Sequence, residues 1–404
     1  MQVAQVGTSN ERGLGMFEKQ EDELVRLGAQ ITTKEIYQQP ESWQKTYDIY
    51  REQKDAICAH LAKAVKEAAG KQVQIIFTGA GTSAYVGDTL VPYLRAMGDS
   101  SLYEFSARAT TDIVSAPYDF LRPDDPCVLV SFARSGNSPE SLAAYERVGQ
   151  VCKQVHYLNI TCAPEGKLAV QSKNDPRAFT VLLPFANDQG FAMTGSFTCM
   201  ELLACLVFDT TPEDKKAQFV KTTIAMGENT RNREDELASY LNCDFNRITY
   251  LGSGSLGALT REAQLKILEL TAGKIATSFD TSMGYRHGPK SFVDARTLVF
   301  DFVSNNAYTR QYDLDILHEI DGDSIAAHTV AIQQHASTMF EHESFSYDAS
   351  FEALPEAYLA LPYILAAQII ALNTSIKVGN TPDTPSPTGT VNRVVKGVTI
   401  HPLV

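Results

Sequence analysis

The sequence predicts an α/β protein in which one doubly wound parallel-sheet unit occurs twice. Three observations carry that prediction. Short β-branched runs alternate with stretches of helical periodicity, which implies parallel strands covered by helices on both faces. Two of those runs end in a glycine turn that opens a helix, Gly79-Ala80-Gly81 and Gly252-Ser253-Gly254, 173 residues apart. The 404 residues are also too many for one ordinary core and fit two of about 150–200 residues each.

The elements follow in order. The first 70 residues read as helical. Leu24, Leu27, Ile31 and Ile36 recur in a charged background, and Ile57, Leu61, Ala64 and Val65 continue at helical spacing. Residues 73–77 form a β-rich run, and a helix is expected from 84 to 97. Further strands are expected at 127–132, 156–161 and 179–183, with helices at 139–148 and 196–208. Residues 209–213 read as a linker before a helical stretch that runs to 242. The pattern then restarts with a strand at 247–251, the second glycine turn and an apolar strand at 298–303. In each half that later strand lies 46–49 residues beyond the glycine turn, so the chain reads as a duplication of one α/β unit. A Pro-Asp-Thr-Pro-Ser-Pro linker at 382–387 leads to a short basic, β-branched segment at 392–400.

Composition narrows the function. The formal net charge of −13 argues against a nucleic-acid partner. An anionic ligand would have to be held by local donors, such as backbone amides at helix N-termini. No apolar run reaches the ~18–20 residues that cross a bilayer. The longest, 354–372, is broken by Pro355, Glu356, Pro362 and Gln368 and reads as a buried helix. The N-terminus lacks the basic segment and apolar stretch of a signal peptide, and the seven cysteines show neither pairing nor metal-ligand spacing. A cytoplasmic protein with free thiols, no membrane contact and no metal is the expectation.

Two places in the first half suit a phosphate. Gly81-Thr82-Ser83 follows a strand and opens a helix, which lets amides approach an anion, although the same turn also serves as plain architecture. The second is denser. A strand runs into Arg134-Ser135-Gly136-Asn137-Ser138, and Pro139 marks the first helical position with Ser138 at the cap. Two hydroxyls, a guanidinium and free amides converge there, which makes a phosphate cradle, with ordinary capping as the alternative. The second half has Ser255-Leu256 where the first has Thr82-Ser83, and Ser304-Asn305-Asn306 after its later strand, so it is expected to have lost the anion site.

What the second half has instead is Glu262, Lys266 and Glu269, spaced i, i+4 and i+7 on one helical stripe. Such spacing commonly marks a solvated salt-bridge row. Here Leu259, Ala263, Ile267, Leu268 and Leu270 surround it, which points to a lined cleft. A carboxylate beside a lysine can move a proton between C1 and C2 of a sugar. Tyr285-Arg286-His287-Gly288-Pro289 adds a histidine in a Gly/Pro-bounded loop, either a surface residue or a ring-opening acid–base.

Glu262-x-x-x-Lys266-x-x-Glu269 with His287-Gly288-Pro289 resembles the second sugar isomerase (SIS) module of glucosamine-6-phosphate synthase. Gly81-Thr82-Ser83 and Ser135-Gly136-x-Ser138 resemble the first module of that enzyme, and residues 392–399 resemble its tail. The glutamine-hydrolysing domain is absent. The whole chain is more similar still to the galactosamine-6-phosphate deaminase/isomerase family, long labelled tagatose-6-phosphate ketose/aldose isomerase. The resemblance implies two flavodoxin-like SIS domains at 45–212 and 213–380, flanked by a helical segment at 1–44 and a tail at 381–404.

It further implies that Ser83, Ser135 and Ser138 bind phosphate or sugar hydroxyls. Glu269 would be the C1/C2 base with Lys266 beside it, and His287 and Lys396 would assist ring opening. No cofactor is implied. The partners implied are a small sugar phosphate and a second copy of the chain, with His287 serving the neighbouring subunit's site. Ala133 and Arg134 depart from the synthase, which has serine and glutamine there. Tyr285 departs too, a difference that would track another sugar epimer. A plain aldose–ketose isomerase and a non-catalytic sugar-phosphate sensor are the other readings. The complete acid–base set and the lack of a DNA-binding segment weigh against the sensor.

Overall fold

The structure, a computed structural model, describes residues 15–334, 340–395 and 397–403. Its ten strands fall into two sheets, and every pairing within them is parallel. The first holds β1 (Val73–Thr78), β2 (Tyr103–Ala107), β3 (Cys127–Ala133), β4 (Val155–Thr161) and β5 (Ala178–Leu182), in the order β2-β1-β3-β4-β5. The second holds β6 (Arg247–Gly252), β7 (Ala276–Thr281), β8 (Thr297–Phe302), β9 (His328–Gln333) and β10 (Ser344–Ser346), in the order β7-β6-β8-β9-β10. Both are the flavodoxin order, 2-1-3-4-5, so the duplication read from the glycine turns is a duplication of topology. β3 and β4 are buried along their whole lengths, as strands covered on both faces must be.

Four strands lie outside the sequence expectation: β2, β7, β9 and β10. β2 and β7 are edge strands with partly exposed residues, and β10 is only three residues long. Ala-Thr-Ser-Phe-Asp-Thr in β7 pairs with β6 alone and needs little apolar side chain to do so. The helical stretch expected up to 242 is two helices, Glu213–Arg231 and Glu234–Ser239. The linker beginning at Asp209 is pinned, because the Asp209 carboxylate accepts from the Tyr93 hydroxyl at 3.2 Å and the Tyr358 hydroxyl at 2.9 Å.

The domain boundary expected at 44/45 falls inside a continuous helix, Gln39–Glu67. Trp43 is fully buried there, and its Nε1 donates to Thr198 Oγ1 at 2.9 Å, so this segment belongs to the first domain's packing. Residues 1–14 of the expected N-terminal segment lie outside the described residues.

The apolar segment expected to be buried is the helix Glu356–Lys377, in contact with helices of both domains. It is long and apolar enough to cross a membrane, but its residues are almost all interior. Pro362 sits inside it and cannot donate to Tyr358 O, and Thr223 Oγ1 supplies a bond to that carbonyl at 3.5 Å instead. Ser375 Oγ and Asn380 Nδ2 donate to Leu270 O at 2.6 and 2.8 Å, tying off the C-terminus of the helix Gly254–Leu270 that carries the acid–base stripe.

Candidate active site

The site lies where helix Gly254–Leu270 of the second domain packs on helix Thr82–Met97 of the first. That contact turns the Glu262-Lys266-Glu269 stripe inward. Glu262 and Lys266 are fully buried, so a solvated salt-bridge row is excluded. Leu259, Ala263, Ile267 and Leu270 are buried around them, whereas Leu268 points to solvent.

Lys266 Nζ donates to Glu269 Oε2 at 2.7 Å, Thr82 Oγ1 at 3.0 Å and Met193 O at 3.2 Å. A Glu262 oxygen lies 3.2 Å from it, an ion pair without hydrogen-bond geometry. A buried ammonium survives only in such company. Burial on its own lowers the Lys266 pKa, but Glu262 and then Glu269 hold it above the ordinary lysine value. Burial pushes Glu262 up to about 7 against the pull of Lys266. Glu269 is the one member of the trio with access to solvent, its side chain 25% exposed.

Thr82 leads into the phosphate-type pocket. This cavity of about 100 Å³ is lined by Ser83, Ser135, Gly136, Ser138, Ser141 and Met193, with Val394 and Val395 of the tail across its mouth. Two glycines shape it through left-handed backbone, Gly81 at φ +56° and Gly136 at φ +62°. Ser138 caps the helix Pro139–Val151 by position only. Its Oγ makes no bond to the helix amides and is instead hydrogen-bonded to Ser141 Oγ at 2.7 Å. The capping alternative therefore fails, and the first-turn amides face the pocket end without a side-chain cap.

Not every expected residue joins this cluster. The Asn137 side chain accepts from Lys167 N at 3.1 Å and so braces the next loop. Arg134 is buried, with its guanidinium donating to Phe191 O at 3.2 Å and Arg393 O at 2.6 Å. His287 lies exposed after β7 and forms no side-chain hydrogen bond among the described residues. Its loop is clamped by Glu319, which takes Arg286 Nε and Lys290 Nζ at 2.5 Å each. Lys396 lies outside the described residues. Tyr285 is a core residue: it packs with Leu251, Val299, Ile316 and Ile320, and its hydroxyl bonds Thr249 Oγ1 at 3.2 Å. The expectation that it reports the sugar epimer does not hold for a side chain enclosed in its own domain.

Sequence reasoning missed the loop after β5. Asp188 accepts from Thr194 N, Gly195 N and Ser196 N at 2.8–3.2 Å and from both hydroxyls, capping helix Gly195–Phe208 from outside it. Glu35 accepts from Gln189 N and, at 3.2 Å, from Gly190 N. Burial, and then Asp188, push Glu35 up to about 8. The Asp188-x-Gly190 and Thr194-Gly195-Ser196 run before an apolar helix was the available signal.

In the second domain the corresponding strand ends carry an internal carboxylate. Asp313 accepts from Ser282 Oγ at 2.7 Å, Ser304 N at 3.0 Å and Ser253 Oγ. Donors that would face an anion after β6 and β8 thus have a partner from within the chain, and that half carries no empty cradle there.

Curated relatives agree with this architecture. The chain is 42% identical over 380 residues to the D-galactosamine-6-phosphate deaminase AgaS of Escherichia coli O157:H7, covering 92% of this chain and 95% of that protein. It belongs to the AgaS deaminase family. No family model matches. Among solved structures, the tagatose-6-phosphate ketose/aldose isomerase of Escherichia coli superposes with a TM-score of 0.82 at 38% identity, over 92% of this chain and 96% of that one. The C-terminal domain of the glucosamine-fructose-6-phosphate aminotransferase of Francisella tularensis matches at a TM-score of 0.68 and 20% identity, over 87% of this chain and 98% of that one, which shows the shared SIS fold.

Proposed function

We propose that this member of the family deaminates and isomerises galactosamine 6-phosphate to tagatose 6-phosphate and ammonia. The observation that carries the reading is the Glu269–Lys266 pair at 2.7 Å, adjoining through Thr82 and Met193 a pocket lined with hydroxyls. The phosphate would sit against Ser83, Ser135 and Ser138 and the free amides of helix Pro139–Val151. His287 and Lys396 would open the ring.

Glu269 takes the C2 proton, giving an enolamine, and returns it to C1, leaving a ketimine at C2. Water adds to C2, ammonia leaves, and the ketose remains. Lys266, held positive by two carboxylates, lowers the cost of the negative charge that builds on the sugar oxygen in the enolamine-forming step. Glu262 supplies the second countercharge and fixes Lys266 in place.

The chain is further read as a cytoplasmic homodimer in which His287 completes the neighbouring subunit's site. Two features support the pairing. His287 is exposed and makes no side-chain hydrogen bond among the described residues, and Leu268, Phe279 and Met283 expose apolar surface on or beside β7.

The deciding experiment is ammonia release from galactosamine 6-phosphate and glucosamine 6-phosphate in parallel, with EDTA present. Ammonia from the galacto sugar alone is the expected result. Release from the gluco sugar would change the substrate, and release from neither would make tagatose 6-phosphate isomerisation the leading reaction.

A further inference from the structure

Arg134 stands at the mouth of the pocket but its bonds run away from the serines. Its two terminal nitrogens donate to three backbone carbonyls: Gly190 at 3.5 Å, Phe191 at 3.2 Å and Arg393 at 2.6 Å. The first two belong to the loop that presents Met193 O to Lys266. The third belongs to the tail whose Val394 and Val395 line the pocket. Arg393 returns the grip, its guanidinium donating to Asp188 O and, at 3.5 Å, to Asn187 Oδ1 of the same loop. Glu35 holds the loop from the other side through the amides of Gln189 and Gly190.

We propose that Arg134 is a positioning residue that joins the tail to the 187–194 loop, and that it is not a ligand of the phosphate. A planar guanidinium suits this task because its fixed fork can serve carbonyls of two chain segments at once, which a lysine ammonium on a flexible stem cannot do with the same geometry. Glu35, Arg134 and Arg393 then form one brace that sets both the Met193 carbonyl on Lys266 and the tail over the serines. The placement on the tail is independent of which sugar phosphate is turned over, although the kinetic readout rests on the reading above.

The test combines Arg134→Gln, Arg134→Lys and Arg393→Ala with hydrogen–deuterium exchange of the loop amides at 189–196, which Glu35 and Asp188 hold, and steady-state kinetics on galactosamine 6-phosphate. Loss of a charge-assisted hydrogen bond predicts that exchange of these loop amides rises about tenfold or more in all three variants. kcat falls by a similar factor while KM stays within about threefold, and Arg134→Lys fails to rescue. Loop exchange unchanged in Arg134→Gln, with KM raised, kcat kept and activity restored by Arg134→Lys, would overturn the proposal and return Arg134 to the phosphate. If Arg134→Gln does not fold, Arg393→Ala decides alone, since unchanged loop exchange in that variant removes the brace. The exchange measurement stands even if the substrate proves to be another sugar phosphate, so the two readings fail separately.

Discussion

Glu262, Lys266 and Glu269 have the same spacing as many solvated ion-pair rows, and only their surroundings separate the two cases. With Lys266 sealed and bonded on all sides, Glu269 is the carboxylate of the pair that reaches solvent. Glu269→Gln should lower kcat by roughly three orders of magnitude or more with KM nearly unchanged, since the amide keeps the shape but cannot take a proton. Near-normal turnover would remove Glu269 from the chemistry. Glu262 gives a pH signature. Its carboxyl is raised from 4.5 to about 7, so it binds a proton more readily folded than unfolded. The stability this contributes is complete below pH 4.5 and disappears as pH climbs towards 7. Wild type minus Glu262→Gln, measured as a difference in Tm across that range, should therefore decline with rising pH. A flat difference would mean that Glu262 is ionised throughout. At the same scale, the motif residues 81–83 and 135–138 were legible, because glycine turns and hydroxyls leave a local mark. The opposite-facing bonds of Arg134 were not, because their acceptors lie up to 259 residues away.

Among the elements, the glycine turns and strands β1, β3, β4, β5, β6 and β8 announce themselves, whereas the interior strand β9, His-Thr-Val-Ala-Ile-Gln, and the edge strands β2, β7 and β10 do not. A strand bonded on one side has less apolar surface to bury, so its sequence is freer. Helix packing has its own silent constraints. Gly227 in helix Glu213–Arg231 lies against Trp43, and an added Cβ would come within 2.3 Å of the indole ring. Gly227→Ala should therefore destabilise the fold by about 1–3 kcal/mol despite alanine's better helix propensity. Urea denaturation checks this, and an unchanged or raised midpoint would show that the indole shifts freely. The helix beginning at Gln39 could be recognised as helical, but its passage through the boundary at 44/45 could not. Trp43 reads as an isolated apolar residue until Thr198 is brought beside it.

For the molecule as a whole, the proposed dimer makes a quantitative prediction. If His287 completes the neighbouring site, Glu269→Gln and His287→Ala subunits are each inactive alone. Mixed and reassorted in equal amounts, they should recover about a quarter of wild-type ammonia release, because half the dimers are mixed and each mixed dimer has one intact site. No recovery from subunits shown to exchange would place His287 in its own subunit's site, and an active His287→Ala variant would place it outside the chemistry. The sequence by itself determined the duplicated α/β unit, the two glycine turns and the spacing of Glu262, Lys266 and Glu269 along one helix, because each is encoded within a few neighbouring residues by glycine, hydroxyl and helical spacing. The tertiary structure alone decided that the stripe faces inward, that Asp313 occupies the second half's switch point, that Tyr285 is core and that Arg134 grips the tail. Those outcomes depend on which distant carbonyl, carboxylate or helix is brought alongside, and that is fixed only by the folding of each domain and, for the stripe, by the packing of the two domains on one another.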